Sequence, residues 1–241
     1  MIDKTFCHFK GISANSEKLL WENGIENWDD FLQKINHIHF LPASKLQNIK
    51  NEIPSSKEAL EKKDLSYFKN RLHPKNHWRL FNLGKIAFLD IETTGLSKWT
   101  DSITIIGIYD GTTPHLYVKD KNLLDAKEKL KEFEIIVTFN GKQFDLPFVE
   151  HHFSHSYDFI HLDLRYMLKE LGLSGGLKSI ERQLGITRGS DIEGIDGWEA
   201  VTLWRLYKKG NPEALKKLLK YNEADIVNLK TLLEYYIMQK T

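Results

Sequence analysis

Asp90-Ile91-Glu92-Thr93-Thr94-Gly95-Leu96 closes a short apolar run, Ile86-Ala87-Phe88-Leu89, and this stretch decides the fold. An apolar run of this length bounded by polar residues reads as a strand. Side chains alternate along a strand, so Asp90 and Glu92 point to one face. Thr93-Thr94-Gly95 then breaks it. Two carboxylates side by side at a strand end repel each other unless something positive lies between them. A hard divalent cation answers that need, because Mg²⁺ takes oxygen ligands and is normally held by one or two carboxylates plus a substrate phosphate. A pair of exposed surface acids is the plain alternative, since short motifs recur by chance.

Working outward, residues 103–109 and 115–118 read as two more strands around a turn at Asp110-Gly111. With the first they make three consecutive antiparallel strands. Residues 123–133 form an amphipathic helix. Residues 135–139 are apolar throughout, as in a strand buried on both faces. Helix is then expected over 145–153 and 164–171, with a fifth strand at 159–162. A further helix opens at Ser174-Gly175-Gly176 and ends at Gly185. Residues 198–209 carry Trp198, Val201, Leu203, Trp204 and Leu206 on a buried side. Asn211-Pro212 caps and starts a last helix running to about residue 238. Strands first, then strands and helices mixed, predict an α/β domain over 82–241 with a mixed sheet. Residues 1–81 form a smaller helical domain.

Two further sets of acids join the first. Asn140-Gly141-Lys142-Gln143-Phe144-Asp145 follows the buried strand, and its glycine-containing turn leads into a helix whose first acid is Asp145. An aspartate there also serves as a cap. Tyr221 and Asp225 are four apart on the last helix, about 40° apart around its axis, so they share a face. Ile226, Leu229, Leu232 and Leu233 form the neighbouring apolar stripe, which puts the Asp225 carboxylate at the border of a buried surface, where an unpaired charge is expensive.

Asp90-Ile91-Glu92-Thr93-Thr94-Gly95-Leu96, Asn140…Phe144-Asp145 and Tyr221-x-x-x-Asp225 resemble, in order and context, the three motifs of the DEDD exonucleases. These are ribonuclease H-like 3′→5′ exonucleases. A tyrosine four residues before the last aspartate is similar to the DEDDy subgroup, which includes polymerase proofreading domains. Gly175-Gly176-Leu177-Lys178-Ser179-Ile180-Glu181 and the helical tail look most like the stand-alone bacterial and archaeal members. The resemblance implies a ribonuclease H-like mixed sheet flanked by helices and two Mg²⁺ or Mn²⁺ ions. Asp90 matches the carboxylate bridging both ions, and Glu92 and Asp225 match ligands of the ion that holds the attacking water. Asp145 matches a ligand of the other ion, and Tyr221 the residue that orients the water. Thr93, Leu96, Asn140 and Phe144 match substrate-contacting positions, although Asn140 also suits a turn and Phe144 a core. Lys142 has no counterpart in the family; on its turn it either meets a phosphate or is simply solvated.

The implied activity is 3′→5′ hydrolysis of single-stranded DNA or RNA, DNA slightly favoured. A metal-dependent endonuclease and a non-catalytic nucleic-acid-binding module with a vestigial site are the alternatives.

The rest of the sequence adds less. Phe9-Lys10-Gly11-Ile12-Ser13 and Leu19-Leu20-Trp21-Glu22-Asn23-Gly24-Ile25 are similar to a degenerate helix-hairpin-helix, with Asn27 capping a second helix whose stripe is Phe31, Leu32 and Ile35. Residues 42–80 look helical, with a break at Pro54-Ser55-Ser56. Residues 1–81 hold 13 Lys/Arg against 10 Asp/Glu, which leaves 34−13 = 21 against 33−10 = 23 for the remainder. Basic residues from Lys57 to Arg79 interleave with Tyr67, Phe68 and Trp78; this suits a phosphate backbone and unstacked bases, or equally a solvated helix. His151, His152 and His155 lack a supporting cysteine and read as a wet helix end. The acidic segment 191–197 reads as a loop flanking the cleft. Cys7 is the sole cysteine, so it forms no intrachain disulfide and reads as a small apolar filler. Mean hydropathy is −0.42, and no run approaches the ~20 apolar residues of a membrane span. With no leader-like N-terminus, these features point to the cytoplasm and to no membrane partner.

Overall fold

The computed structural model describes residues 2–240 except 193 and 196. The chain forms two compact units, Met1–Gly84 and Lys85–Thr241.

In the first unit, α1 (Ala14–Glu22), α2 (Trp28–Lys34), α3 (Ala43–Glu61) and α4 (Leu65–Lys69) are joined by short turns. Asn27 caps α2 by accepting from the Asp29 and Asp30 amides, both at 2.9 Å. The inward face of α2 is Trp28 and Phe31. Leu32 is exposed, off the Trp28–Phe31 face, and Ile35 is half-buried because the helix ends at Lys34 and a 3-10 turn takes over. Pro54 does not break α3. It lies exposed on the outer face, where the carbonyl it deprives of a partner meets water, while Ile49, Ile53, Ser56 and Ala59 continue the buried stripe past it. The stretch of basic and aromatic residues from Lys57 to Arg79 splits by type, with Lys62, Lys63, Arg71 and Lys75 exposed and two of its aromatics internal. Phe68 and Trp78 are core residues, and the Arg79 guanidinium lies 2.6 Å from the buried carboxylate of Glu17. Glu17 also accepts from the Thr5 hydroxyl at 2.6 Å. Burial beside Glu17 pushes the Cys7 thiol up to about 12, so it is inert at neutral pH.

In the second unit, β1 (Ile86–Thr93), β2 (Ile103–Tyr109), β3 (Pro114–Val118), β4 (Ile135–Thr138) and β5 (Ile160–Asp163) form one sheet in the order β3-β2-β1-β4-β5. The first three strands are antiparallel, and β4 and β5 run parallel to β1. Helices α5 (Asp125–Leu130), α6 (Asp145–Phe153), α7 (Leu164–Lys169), α8 (Leu177–Gln183), α9 (Gly197–Lys208) and α10 (Pro212–Lys240) complete it. This is the α/β mixed sheet flanked by helices that the strand and helix order predicts.

β1 alternates as its residues dictate. Ala87, Leu89 and Ile91 pack with Ala126, Leu130, Phe148 and Val149 from α5 and α6. Asp90 and Glu92 therefore face the opposite side, which α10 covers. There Leu215, Leu218, Ile226 and Leu229 of α10 are buried, each contributing about 1.5–3 kcal/mol. That burial offsets the cost of the polar groups the same helix carries inward. The buried stripe of α9 is Ala200, Val201, Leu203 and Trp204. Trp198 and Leu206, expected on it, lie off that stripe and are 66% and 41% exposed. Of segment 191–197, Glu193 and Asp196 are outside the described residues. No helix among the described residues is long and apolar enough to cross a membrane.

Candidate functional site

β1 delivers two acids and α10 a third. Asp90, Glu92 and Asp225 each offer a carboxylate oxygen, and these oxygens all lie within 4.8 Å of one another. Among the described residues no other group of acids, histidines or cysteines is so clustered. Asp145 stands beside them at the start of α6, where its Oδ1 accepts from the Ile91 amide at 3.1 Å. A register shift between Glu92 and Thr93 interrupts the β1–β2 ladder one pair before its end, where the acids sit. Together with Tyr221 they border a cleft of about 400 Å³.

Among the proposed substrate residues, Thr93, Leu96, Asn140 and Phe144 line this cleft, and Leu96 is 74% exposed at its edge. Lys142 is not among the lining residues. It is solvent-exposed on the neighbouring turn, with its amide donating to Asp163 at 3.1 Å. His151 sits edge-on to Trp99 and His155 edge-on to Tyr157, as surface aromatics do.

The electrostatics follow from crowding. Burial, then the charges of Asp225, Asp145 and Glu92, hold the Asp90 carboxyl well above the usual range. Burial does the same for Glu92, with Asp225 and Asp145 adding to it. Burial raises Asp145 to about 7 against two backbone amides that pull it down, and raises Asp225 to about 6 against the pull of Arg188. A site that hard to ionise has room for positive charge. All its donors are carboxylate oxygens, the set that suits a hard divalent cation such as Mg²⁺. Burial, then the Asp225, Glu92 and Asp90 charges, pushes the Tyr221 hydroxyl far above its ordinary value, so it remains a proton donor.

Three supporting residues escaped the sequence reading. Arg188, almost fully buried, grips Glu181 through Nε and Nη2 at 2.7 and 2.6 Å, and the same Nη2 lies 2.5 Å from Asp225 Oδ1. Its own pKa is raised, since the hydrogen bonds to Glu181 and the charges of Asp225 and Glu181 outweigh the lowering by burial. Asn222, fully buried, donates to Asp90 Oδ2 at 2.8 Å. It fits because the residue paired with Asp90 across the sheet is Gly107, where a Cβ would lie 2.1 Å from Asn222 Oδ1. Asp163 shapes the turn before Asp145, accepting from the Asn140, Lys142 and Arg165 amides at 2.8, 3.1 and 3.1 Å. Asn140 there takes a φ of +65°, the left-handed region that asparagine tolerates better than most residues. The one available signal was for Asp163, an acid directly before the apolar run of a short helix.

A family model described as RNase_H superfamily matches residues 87–237. No curated protein matches the chain. Among solved structures, the family B DNA polymerase from the hyperthermophilic archaeon Pyrobaculum calidifontis shares 14% identity over 64% of this chain, with a TM-score of 0.54. This chain corresponds to only 24% of that polymerase. NrnC of Brucella melitensis, solved bound to pGG, shares 22% identity over 65% of this chain and 74% of its own, with a TM-score of 0.46.

Proposed function

The chain belongs to the ribonuclease H superfamily, and from that membership we propose that it is a 3′→5′ exonuclease of the DEDDy type, hydrolysing single-stranded nucleic acid with two Mg²⁺ or Mn²⁺ ions. One observation carries the reading: acids from a strand end, a helix start and a distant helix converge with a buried tyrosine on one cleft. A structural role gives no reason to crowd four carboxylates whose ionisation burial already opposes. Asp90, Glu92, Asp145 and Asp225 would hold the ions, which when bound supply charge to the attacking and leaving oxygens of an in-line displacement.

The chain's own groups do the rest. Tyr221, protonated, donates its hydroxyl to orient the attacking water and does not act as a base. Asn222 fixes the Asp90 carboxylate in one rotamer, and Arg188 does the same for Asp225. Leu96, exposed at the edge, offers an apolar surface to the terminal base, and Thr93, Asn140 and Phe144 border the same space. DNA is slightly favoured over RNA as substrate.

End-labelled linear strands and circular strands, of DNA and RNA, digested with and without Mn²⁺, test this. Linear strands should shorten from the 3′ end, and circles and 3′-phosphorylated ends should resist. Equal cutting of circles would establish an endonuclease instead. Activity that survives excess EDTA, or the change Asp90→Asn, would remove the two-ion reading altogether.

A further inference from the structure

A second cavity of about 320 Å³ is lined by the 140–144 turn, α7 and the segment leading into α8. Gln143, Arg165, Tyr166, Lys169 and Ser174 are among its lining residues. Arg165 and Lys169 are four apart on α7 and so share a face. Both are exposed, and among the described residues neither pairs with a carboxylate. Tyr166 lies between them in sequence, 44% exposed. No acid lines this cavity.

Residues of the same 140–144 turn line both cavities. Asn140 lines the acid cleft and Gln143 the second cavity. Three residues of backbone separate their Cα atoms by at most about 11 Å. Arg165 ties the walls together, its Nη1 donating to Asn140 Oδ1 at 2.7 Å. Two cations, a ring and no acid are the chemistry that takes a phosphodiester backbone with an unstacked base.

We propose that this groove is a second subsite of the nuclease, binding the sugar–phosphate chain and a base of a single strand whose terminal nucleotide lies in the acid cleft. It rests on the nuclease reading and extends it to substrate length. A strand leaving the cleft across the 140–144 turn meets Arg165 and Lys169 within its next few nucleotides, whereas a dinucleotide is too short to use both sites. The groove therefore makes the protein prefer longer chains.

The test leaves Arg165 intact, because it holds Asn140. Binding of 5′-fluorescein single strands of two and eight nucleotides is followed by anisotropy in Ca²⁺, and their turnover in Mn²⁺, for the full chain and for Lys169→Ala and Tyr166→Ala. Lys169→Ala should weaken the eight-mer and lower the log–log salt slope by about 0.7. Tyr166→Ala should weaken it about tenfold through lost stacking. Dinucleotide turnover should stay unchanged in both. Equal losses for both lengths, or an eight-mer unaffected in both variants, overturns the groove while leaving the nuclease intact. If the unaltered protein binds neither length, both readings fall.

Discussion

Replacing Arg188 by methionine removes the guanidinium that contacts both Asp225 and Glu181. The side chain is 6% exposed and Glu181 only 2%, so solvent does little to screen the loss. Glu181 would retain the Asn228 amide, 2.9 Å from its Oε1, and Asp225 would face Asp90 and Glu92 with only the more distant Lys178 charge to offset them. Breaking a buried pair by removing one partner costs about 3–5 kcal/mol. The second unit spans 157 residues, and at about 2.1 cal/mol/K per residue its unfolding entropy is about 0.33 kcal/mol/K. The melting temperature measured in EDTA should therefore fall by about 9–15 °C. Mg²⁺ should restore part of that loss and should raise the melting point of Arg188→Met more than that of the parent, because a competitor for the Asp225 oxygen has gone. Arg188→Lys, which keeps the charge but not the fork, should fall between the two. Scanning calorimetry with and without Mg²⁺ measures all three. A variant within 1 °C of the parent in EDTA would show that the network is not what holds Asp225.

Three further outcomes follow from the same geometry. Tyr221→Phe keeps the ring beside the Lys178 ammonium, 4.5 Å away, and should slow single-turnover cleavage by about 10–100-fold without changing metal affinity, whereas Asp225→Ala should weaken both; an unaltered rate would make Tyr221 a packing residue. Gly107→Ala should displace Asn222 from Asp90, costing about 1–3 kcal/mol in denaturant melts and lowering the cleavage rate, and full activity would refute the link. His8, lowered to about 3 by burial and by the Arg71 charge, binds its proton more readily unfolded, so stability of the first unit should fall by about 1.4 kcal/mol per pH unit as pH drops from about 6.5 toward 3; hydrogen exchange on α3 reads this out, and His8→Gln should flatten the dependence.

What could be read in advance was what obeys periodicity. Alternation put Asp90 and Glu92 on one face of a strand, and helical spacing put Tyr221 and Asp225 on one face of a helix, because both rules act over neighbours in sequence. The supporting residues obey no such rule. Arg188 leaves a loop after α8 and finds Asp225 only through the packing of α10, so its sequence neighbours say nothing about it. Asn222 sits inside the Tyr221–Asp225 motif, yet its use depends on an absent side chain at Gly107, on a strand more than a hundred residues away. Trp198 and Leu206 lie outside the narrow stripe of α9, because an apolar residue on a helix need not be an inward one. Pro54 leaves α3 unbroken, against its local breaking tendency, because the ring is exposed and the buried stripe runs on.

The antiparallel pairing of Asp90 with Gly107, under an asparagine from α10, also bears on the order in which the site comes into being. Asn222 and Asp225 join the chain more than 130 residues after Asp90. At about 5–20 residues per second on the ribosome, the two β1 acids exist for roughly 7–26 seconds before their partners are even synthesised. During that interval β2 to β5 and Asp145 join the β1 acids, but the helix that brings Tyr221, Asn222 and Asp225 does not yet exist. On the proposed function, a chain interrupted before residue 212 lacks Tyr221, Asn222 and Asp225 and should therefore be inert toward nucleic acid.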